Sequence, residues 1–326
     1  MADSRSFEEA KVMDGGFSTL LIEEFNHPEI NGDPLWGARV ILTNPQDIVA
    51  AHIRYLEAGA DLIETCTYQA TVEGFVKHCG VSVTEAEELI EKGVKLCLQS
   101  RDKFWATKKK SDEIKVLGSI GPYGAFLSNR SEYSGSYVDT MSIEQLKNWH
   151  KLQLEPVCRA GADIIAFETF TTAKEPLAIV QLMKEYPYSK FYISFNFKDD
   201  KETWHSDTAE DVVNKILRTQ PRKNNLIGLG INCTKPEYVE NLLSKMKIEM
   251  NKTLRDDVCL IAYPNGGSEW MNDGSWDPSK STAQWHVNVP KWVTAGAKWI
   301  GGCCTTTHHD IAIIKKIIDD MKTGET

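Results

Sequence analysis

The 326-residue chain has no apolar run near the ~18–20 residues that span a bilayer. Its start, MADSRSFEEA, lacks the basic and then apolar stretches of a secretory signal. From these absences we expect a cytoplasmic protein in a reducing compartment, without a membrane partner. Its eight cysteines should then be thiols, metal ligands or buried apolar residues rather than a disulfide framework. Basic charge is also scarce. With 37 Lys and Arg against 46 Asp and Glu, the formal net charge is −9, so the basic stripe that holds a phosphodiester backbone is missing and nucleic acid is excluded as the main partner. No G-x-G-x-x-G follows the first strand-like run, which disfavours an open dinucleotide-binding sheet. No Ser-His-Asp or His-centred triad is visible, no lysine stands at a strand end to form a Schiff base, and no stretch reads as an interdomain linker. The remainder, 41% hydrophobic and 25% charged, is ordinary globular composition.

What is present is a recurrence. Ala58-Gly-Ala-Asp-Leu-Ile-Glu64, Ala160-Gly-Ala-Asp-Ile-Ile-Ala166 and Ala295-Gly-Ala-Lys-Trp-Ile-Gly301 each end an amphipathic helical stretch on a glycine and then run into a short apolar strand. Glycine suits a left-handed helix cap, and a strand apolar throughout is buried on both faces, as in a parallel sheet. Eight such runs occur: 12–16, 61–67, 114–121, 163–169, 191–197, 226–233, 258–265 and 299–304. Helical patterns separate most of them, the last carrying Ile311, Ile314, Ile317, Ile318 and Met321 on one stripe. Eight alternations predict a (β/α)8 TIM-type barrel, a single domain over residues 1–326, with its chemistry at the C-terminal strand ends. Small, polar and thiol residues gather at those ends.

Cys233 ends the sixth run and Cys303-Cys304 the eighth, so their tips are separated by one strand and can converge. Three thiolates with one open position suit a catalytic zinc; a closed structural site would want four ligands. Neighbouring residues on a strand point to opposite faces, so both Cys303 and Cys304 can reach one ion only if the backbone leaves β geometry, which Gly301-Gly302 would permit. Burial as a small hydrophobe is the alternative for any cysteine. It is the reading for Cys66, Cys79, Cys97, Cys158 and Cys259. His308 and His309 stand near the pair but open the last helix, where solvated helix-start residues are expected.

Together the segments Met13-Asp-Gly-Gly16, Glu64-Thr-Cys-Thr-Tyr-Gln-Ala70, Gly118-Ser-Ile-Gly-Pro-Tyr-Gly-Ala125, Ser131-Glu-Tyr133, Ala166-Phe-Glu-Thr169, Gly230-Ile-Asn-Cys233, Tyr263-Pro-Asn-Gly-Gly267 and Gly301-Gly-Cys-Cys304 resemble the homocysteine S-methyltransferase family. The resemblance implies a barrel that holds one Zn²⁺ per chain through Cys233, Cys303 and Cys304 and methylates L-homocysteine to methionine. It also points to the branch that uses a sulfonium donor, S-methylmethionine or S-adenosylmethionine. Betaine-dependent relatives carry an oligomer-building C-terminal extension, whereas this chain stops at Thr326, so a monomer that does not use betaine is expected.

Within this reading, Asp14 and Glu168 at strand tips are the candidate partners of the substrate ammonium, and Gly15 and Gly16 offer N–H groups to its carboxylate. Asn232 could steady the adjacent Cys233. Tyr123, Tyr133 and Glu132 are the candidates for the donor cation. Each has a plainer alternative as a cap, an ion-pair partner, a turn residue or simple packing. Two other functions stand beside this one. A phosphate-binding TIM-barrel enzyme would use Gly266-Gly267 and Gly301-Gly302, and a non-enzymatic zinc or thiol sensor would use the three cysteines alone.

Overall fold

The computed structural model describes residues 9–108, 113–220, 225–270, 276–277 and 281–324. Its main elements run β1 (Lys11–Val12), α1 (Phe17–Glu24), α2 (Pro45–Glu57), β2 (Leu62–Glu64), α3 (Val83–Lys108), β3 (Lys115–Ile120), α4 (Ile143–Ala160), β4 (Ile164–Phe170), α5 (Lys174–Leu182), β5 (Phe191–Phe195), α6 (Ala209–Thr219), β6 (Leu226–Asn232), α7 (Pro236–Lys252), β7 (Cys259–Tyr263), α8 (Trp285–Thr294), β8 (Ala297–Ile300) and α9 (His308–Thr323). The three recurrent glycines end helices as the sequence predicts. Gly59, Gly161 and Gly296 take φ of 100°, 92° and 110°, a region open to glycine at little steric cost.

The eight strands are all parallel and lie in the order β1-β8-β7-β6-β5-β4-β3-β2. A parallel bridge between Met13 and Leu62 brings the two ends together, so the sheet curls into a (β/α)8 barrel rather than an open doubly wound sheet. Closure there is thin, because β1 has only two residues. Among the described residues no helix is long and apolar enough to cross a membrane.

Side-chain parity divides the core into two layers. Met13, Leu62, Leu117, Ile164, Ala166, Tyr192, Ile261 and Tyr263 pack together inside the barrel. Ile165, Phe167 and Ile193, one residue out of phase, join the larger layer between sheet and helices. The stripe on α9 buries Ile311, Ile314, Ile317 and Ile318 in that outer layer. Each such aliphatic side chain contributes ~1.5–3 kcal/mol on burial, so the scaffold is held far from the strand tips and does not depend on them.

The strands are shorter than the apolar runs suggest. The first run, 12–16, is regular only to Val12, and the last, 299–304, only to Ile300. Both chains leave the sheet at glycines. A Cβ on Gly16 would run into the carbonyl oxygen of Cys303, and one on Gly301 would meet Met13 Cβ at 2.6 Å. The first and last strand ends are thus pressed together, which places the Asp14 loop beside the Cys303-Cys304 loop.

Candidate active site

Three sulfurs converge at the C-terminal mouth. Cys233 follows β6 with φ of 47°, an uncommon left-handed conformation for a residue with a side chain. Its N–H donates to Tyr263 O (3.3 Å) and its carbonyl accepts from Asn196 Nδ2 (2.6 Å). The opposing loop is fixed equally well: Cys303 N donates to Pro264 O (2.8 Å), Gly266 N to Cys304 O (2.9 Å) and Thr305 N to Thr19 Oγ1 (3.0 Å). The three sulfurs lie within 4.8 Å of one another and are half-buried. Cys233 and Cys303 are joined as a disulfide with Cα atoms 5.5 Å apart, and Cys304 Sγ is 3.6 Å from Cys233 Sγ. The sequence reading expects these three as metal ligands and no disulfide framework; loops that bring three sulfurs to one point also bring two within bonding reach.

The same convergence fits a tetrahedral metal. A Zn–S bond of about 2.3 Å sets tetrahedral sulfurs roughly 3.8 Å apart, close to the 3.6 Å between Cys233 and Cys304. Burial pushes the Cys304 thiol up to about 12, and negative charge on Glu168 and Glu132 adds to it. A thiolate there near neutral pH therefore calls for a cation, and three sulfur donors favour a soft or borderline ion over hard ones. Disulfide and metal tripod use the same atoms, so they exclude one another.

Beside the sulfurs lie three carboxyls. Asp14 and Glu168 are almost fully buried at the tips of the first and fourth strands. Glu64, at the end of β2, is the third, and the sequence reading gave it no role. Asp14 Oδ2 accepts from Glu64 N (2.9 Å), Tyr192 Oη donates to Glu64 Oε1 (2.5 Å), and Ser119 Oγ donates to Glu168 Oε1. Burial holds all three above the usual carboxylate range, and mutual repulsion raises Asp14 and Glu168 further. Glu64 is raised to about 7, again by burial. Among the described residues no Lys or Arg forms an ion pair with any of them. Three acids gathered without a counter-charge make a pocket for an external cation.

Asn232 ties the carboxyl side to the thiol side. Its Oδ1 accepts from Thr169 N (2.9 Å) and Ser194 Oγ (2.8 Å), and its Nδ2 donates to Thr169 Oγ1 (2.7 Å). Thr169 is itself left-handed, φ 68°, a costly conformation for a β-branched residue that these bonds hold in place. Glu168 and Cys233, each next to one end of this link, are positioned together.

The remaining candidates are placed unequally. Glu132 and Tyr133, on the short helix Ser131–Ser134, face the mouth near Cys304. Glu132 Oε2 is buried with no hydrogen-bond partner. Tyr68, which the sequence reading did not single out, stands beside both. Tyr123 is placed elsewhere: its ring packs on Phe126, Tyr137 and Trp149 at centroid distances of 5.7, 5.6 and 5.0 Å. The plainer packing reading describes it. Gly15 N–H donates to none of the described residues, but Gly16 N–H already bonds Thr306 O (3.1 Å) and Thr306 Oγ1 (3.0 Å). Gly16 is therefore a close-approach glycine and not a free donor. The four glycines of the phosphate reading are taken up in the same way. Gly266, Gly267, Gly301 and Gly302 direct their N–H groups to Cys304 O, Asn265 Oδ1, Ala262 O and Asp14 O. His308 and His309 face Glu24.

Residues 11–318 match the family described as homocysteine S-methyltransferase. Betaine-homocysteine S-methyltransferase from Drosophila melanogaster is 36% identical over 316 residues, covering 94% of this chain and 93% of the relative. Homocysteine S-methyltransferase 1 from Arabidopsis thaliana is 37% identical over 314 residues, covering 94% and 92%. Among solved structures, the Escherichia coli homocysteine methyltransferase MmuM aligns in its metallated form with a TM-score of 0.79 and 31% identity over 94% of this chain and 96% of that one. Its oxidised form aligns with 0.80 and 33% over the same shares.

Proposed function

The chain belongs to the homocysteine S-methyltransferase family and is a homocysteine methyltransferase, and from that premise we propose that it is a zinc enzyme that takes its methyl group from a sulfonium. The observation that carries the reading is the juxtaposition of the Cys233, Cys303 and Cys304 sulfurs with the uncompensated acids Asp14, Glu64 and Glu168. Homocysteine offers a matching pair of ends, a soft sulfur and an ammonium.

A bound Zn²⁺ would supply a Lewis acid that lowers the pKa of a substrate thiol without drawing much electron density from it, because three thiolates leave the site with net charge −1. The protein does the rest by placement. Asp14 and Glu168 hold the ammonium, with Glu64 deepening the negative field, and Gly15 N–H meets the carboxylate. The acceptor sulfur attacks the donor methyl carbon in line. The new S–C bond forms as the donor S–C bond breaks, and the bonding pair leaves with the donor sulfur. The leaving group is a neutral thioether and needs no acid, which accounts for the lack of a triad. Opposite charges cancel as the bond forms, so a mouth that excludes water favours the step.

For the donor, Tyr68, Tyr133 and Glu132 supply two aromatic faces and an unpartnered carboxylate oxygen next to Cys304. Each aromatic face attracts a cation by ~0.5–2 kcal/mol. Chain length does not separate the donors, because the Drosophila relative whose name includes betaine is matched over 93% of its length. Leaving-group chemistry does: a thioether departs more readily than the tertiary amine of betaine. We therefore expect turnover with S-methylmethionine and S-adenosylmethionine and little with betaine. Parallel initial rates at matched concentrations check this, and efficient turnover with betaine would move the protein to another donor class.

The acids carry a pH signature. Glu64 titrates at about 7 in the folded protein against its usual 4.5. Its protonated form therefore contributes stability that is complete below 4.5 and is lost as pH rises through about 7. A bound ammonium favours the ionised carboxyls and reverses that loss. Methionine has the same ammonium and carboxylate as homocysteine but no acidic thiol, so its affinity isolates the effect. It should tighten between pH 6 and pH 8, with protons released on binding at pH 6. A flat profile by calorimetry would detach these acids from the ammonium.

A further inference from the structure

We propose that Glu24, His308 and His309 form a second metal site, distinct from the thiol centre, which takes a borderline divalent ion such as Zn²⁺ or Ni²⁺ and clamps the first and last βα units together. Glu24 is the last residue of α1 and the two histidines are the first residues of α9. Glu24 Oε1 lies 3.2 Å from His308 Nδ1 and 3.9 Å from His309 Nε2, and the imidazole centroids are 4.0 Å apart. One ligand atom from each residue falls within 4.8 Å of the other two.

These contacts are poorly explained as ordinary hydrogen bonds. His308 Nδ1 is buried and has no hydrogen-bond partner, although Glu24 stands 3.2 Å away, because the approach is out of line. Two protonated imidazoles 4 Å apart would repel. A single divalent ion would accept lone pairs from both rings and one carboxylate oxygen. With bonds of about 2.1 Å, ligand atoms around it stand roughly 3.0 Å apart in an octahedral and 3.4 Å in a tetrahedral arrangement; the 3.2 Å pair lies between, and the 3.9 Å pair to the exposed His309 must close by about 0.5 Å on binding.

The surroundings favour a cation on balance. Glu23 and Asp310 add negative charge to that of Glu24, against Arg54 as a positive neighbour of His308. A helix N-terminus disfavours cations. Here, however, Thr307 and Asp310 form a capping box that satisfies donors of the first turn of α9. Asp310 is held by Trp285 Nε1 (2.8 Å) and Thr307 N (2.8 Å), so it contributes field rather than a ligand.

The position gives the site a consequence. α1 follows the Asp14-Gly15-Gly16 turn, and α9 follows the Cys303-Cys304 loop. Their helices flank the barrel seam, where β1 supplies two residues and a single bridge completes the ring. An ion shared by α1 and α9 would fasten that seam and, through Thr305 N to Thr19 Oγ1, steady the loop that carries two of the three thiols.

Cobalt and zinc titrations of the full chain under reducing conditions test this, because the two centres differ in colour. A thiolate site gives intense sulfur-to-cobalt charge-transfer absorption, whereas a His/carboxylate site gives only weak bands. We expect about two equivalents of metal per chain, the second filling without added charge-transfer intensity and raising the Tm. The double variant His308→Ala/His309→Ala should bind about one equivalent with the same cobalt spectrum and the same methyl transfer, and excess zinc should no longer raise its Tm. His309 is 78% exposed, so His309→Ala alone cannot unfold the chain. It should weaken the second equivalent by more than the about tenfold that loss of a supporting hydrogen bond costs. One equivalent in the wild type, or a second equivalent that survives both variants, overturns the site.

Discussion

Cys304→Ser should leave a folded barrel that holds no zinc and forms no detectable methionine. Serine is a hard and weakly acidic replacement for a soft thiolate, and a tripod reduced to two sulfurs cannot keep a tetrahedral ion. Cys233→Ser and Cys303→Ser should behave alike. The fold survives because the apolar layers lie below the strand tips: the interior layer is built from residues such as Leu117, Ile164 and Tyr192, and the outer one from the helix stripes. Metal analysis, methyl transfer and circular dichroism on one sample separate the outcomes. Full zinc content with near-normal turnover in any variant would remove that cysteine from the centre.

Glu168→Ala should weaken homocysteine binding by about ten- to a hundredfold, the loss of a charge-assisted hydrogen bond worth roughly 1.5–3 kcal/mol, with zinc retained. Glu168 is buried at the end of β4 with its carboxyl held by Ser119, so its direction is set before substrate arrives. Alanine also relieves repulsion on Asp14, so the apo protein should lose little stability. Glu64→Gln should have a smaller effect on affinity and should flatten the pH dependence described above. Calorimetry with homocysteine and zinc-loaded protein reads both; an unchanged affinity for Glu168→Ala would reject its assignment to the ammonium.

The barrel was legible because three helix-glycine-strand repeats and eight apolar runs are local signals, and the structure realises them at Gly59, Gly161 and Gly296. Strand lengths were less legible. Apolar character continues past Val12 and Ile300, but the approach of two chains at Gly16 and Gly301 ends the pairing, and that is a long-range contact. The three sulfurs could be grouped from strand positions, whereas the disulfide could not, since it depends on the left-handed turn at Cys233.

Glu64 was available but overlooked. Leu62 faces the barrel interior, so Glu64 two residues on must face it too, by the same parity that aims Glu168 inward from Ile164 and Ala166. Sequence position singled out Tyr123 over Tyr68, although both follow strand ends. Only packing shows that Tyr123 belongs to a cluster with Trp149 while Tyr68 stands beside Glu132. Gly16 illustrates the same limit: a glycine at a strand tip can free an N–H or admit a neighbour, and here Thr306 occupies the N–H. His308 was expected to be solvated, yet its contact with Glu24 bridges residues 284 positions apart in sequence.

The most direct test follows the methyl group itself. Reduced, zinc-loaded protein is incubated with homocysteine and S-methylmethionine carrying ¹³C-methyl groups, and the methionine is analysed by mass spectrometry. The account predicts labelled methionine built on the homocysteine skeleton, formed at a rate that falls to background in the Cys304→Ser variant. Loss of homocysteine without labelled methionine, or equal label transfer by protein stripped of metal, would contradict it.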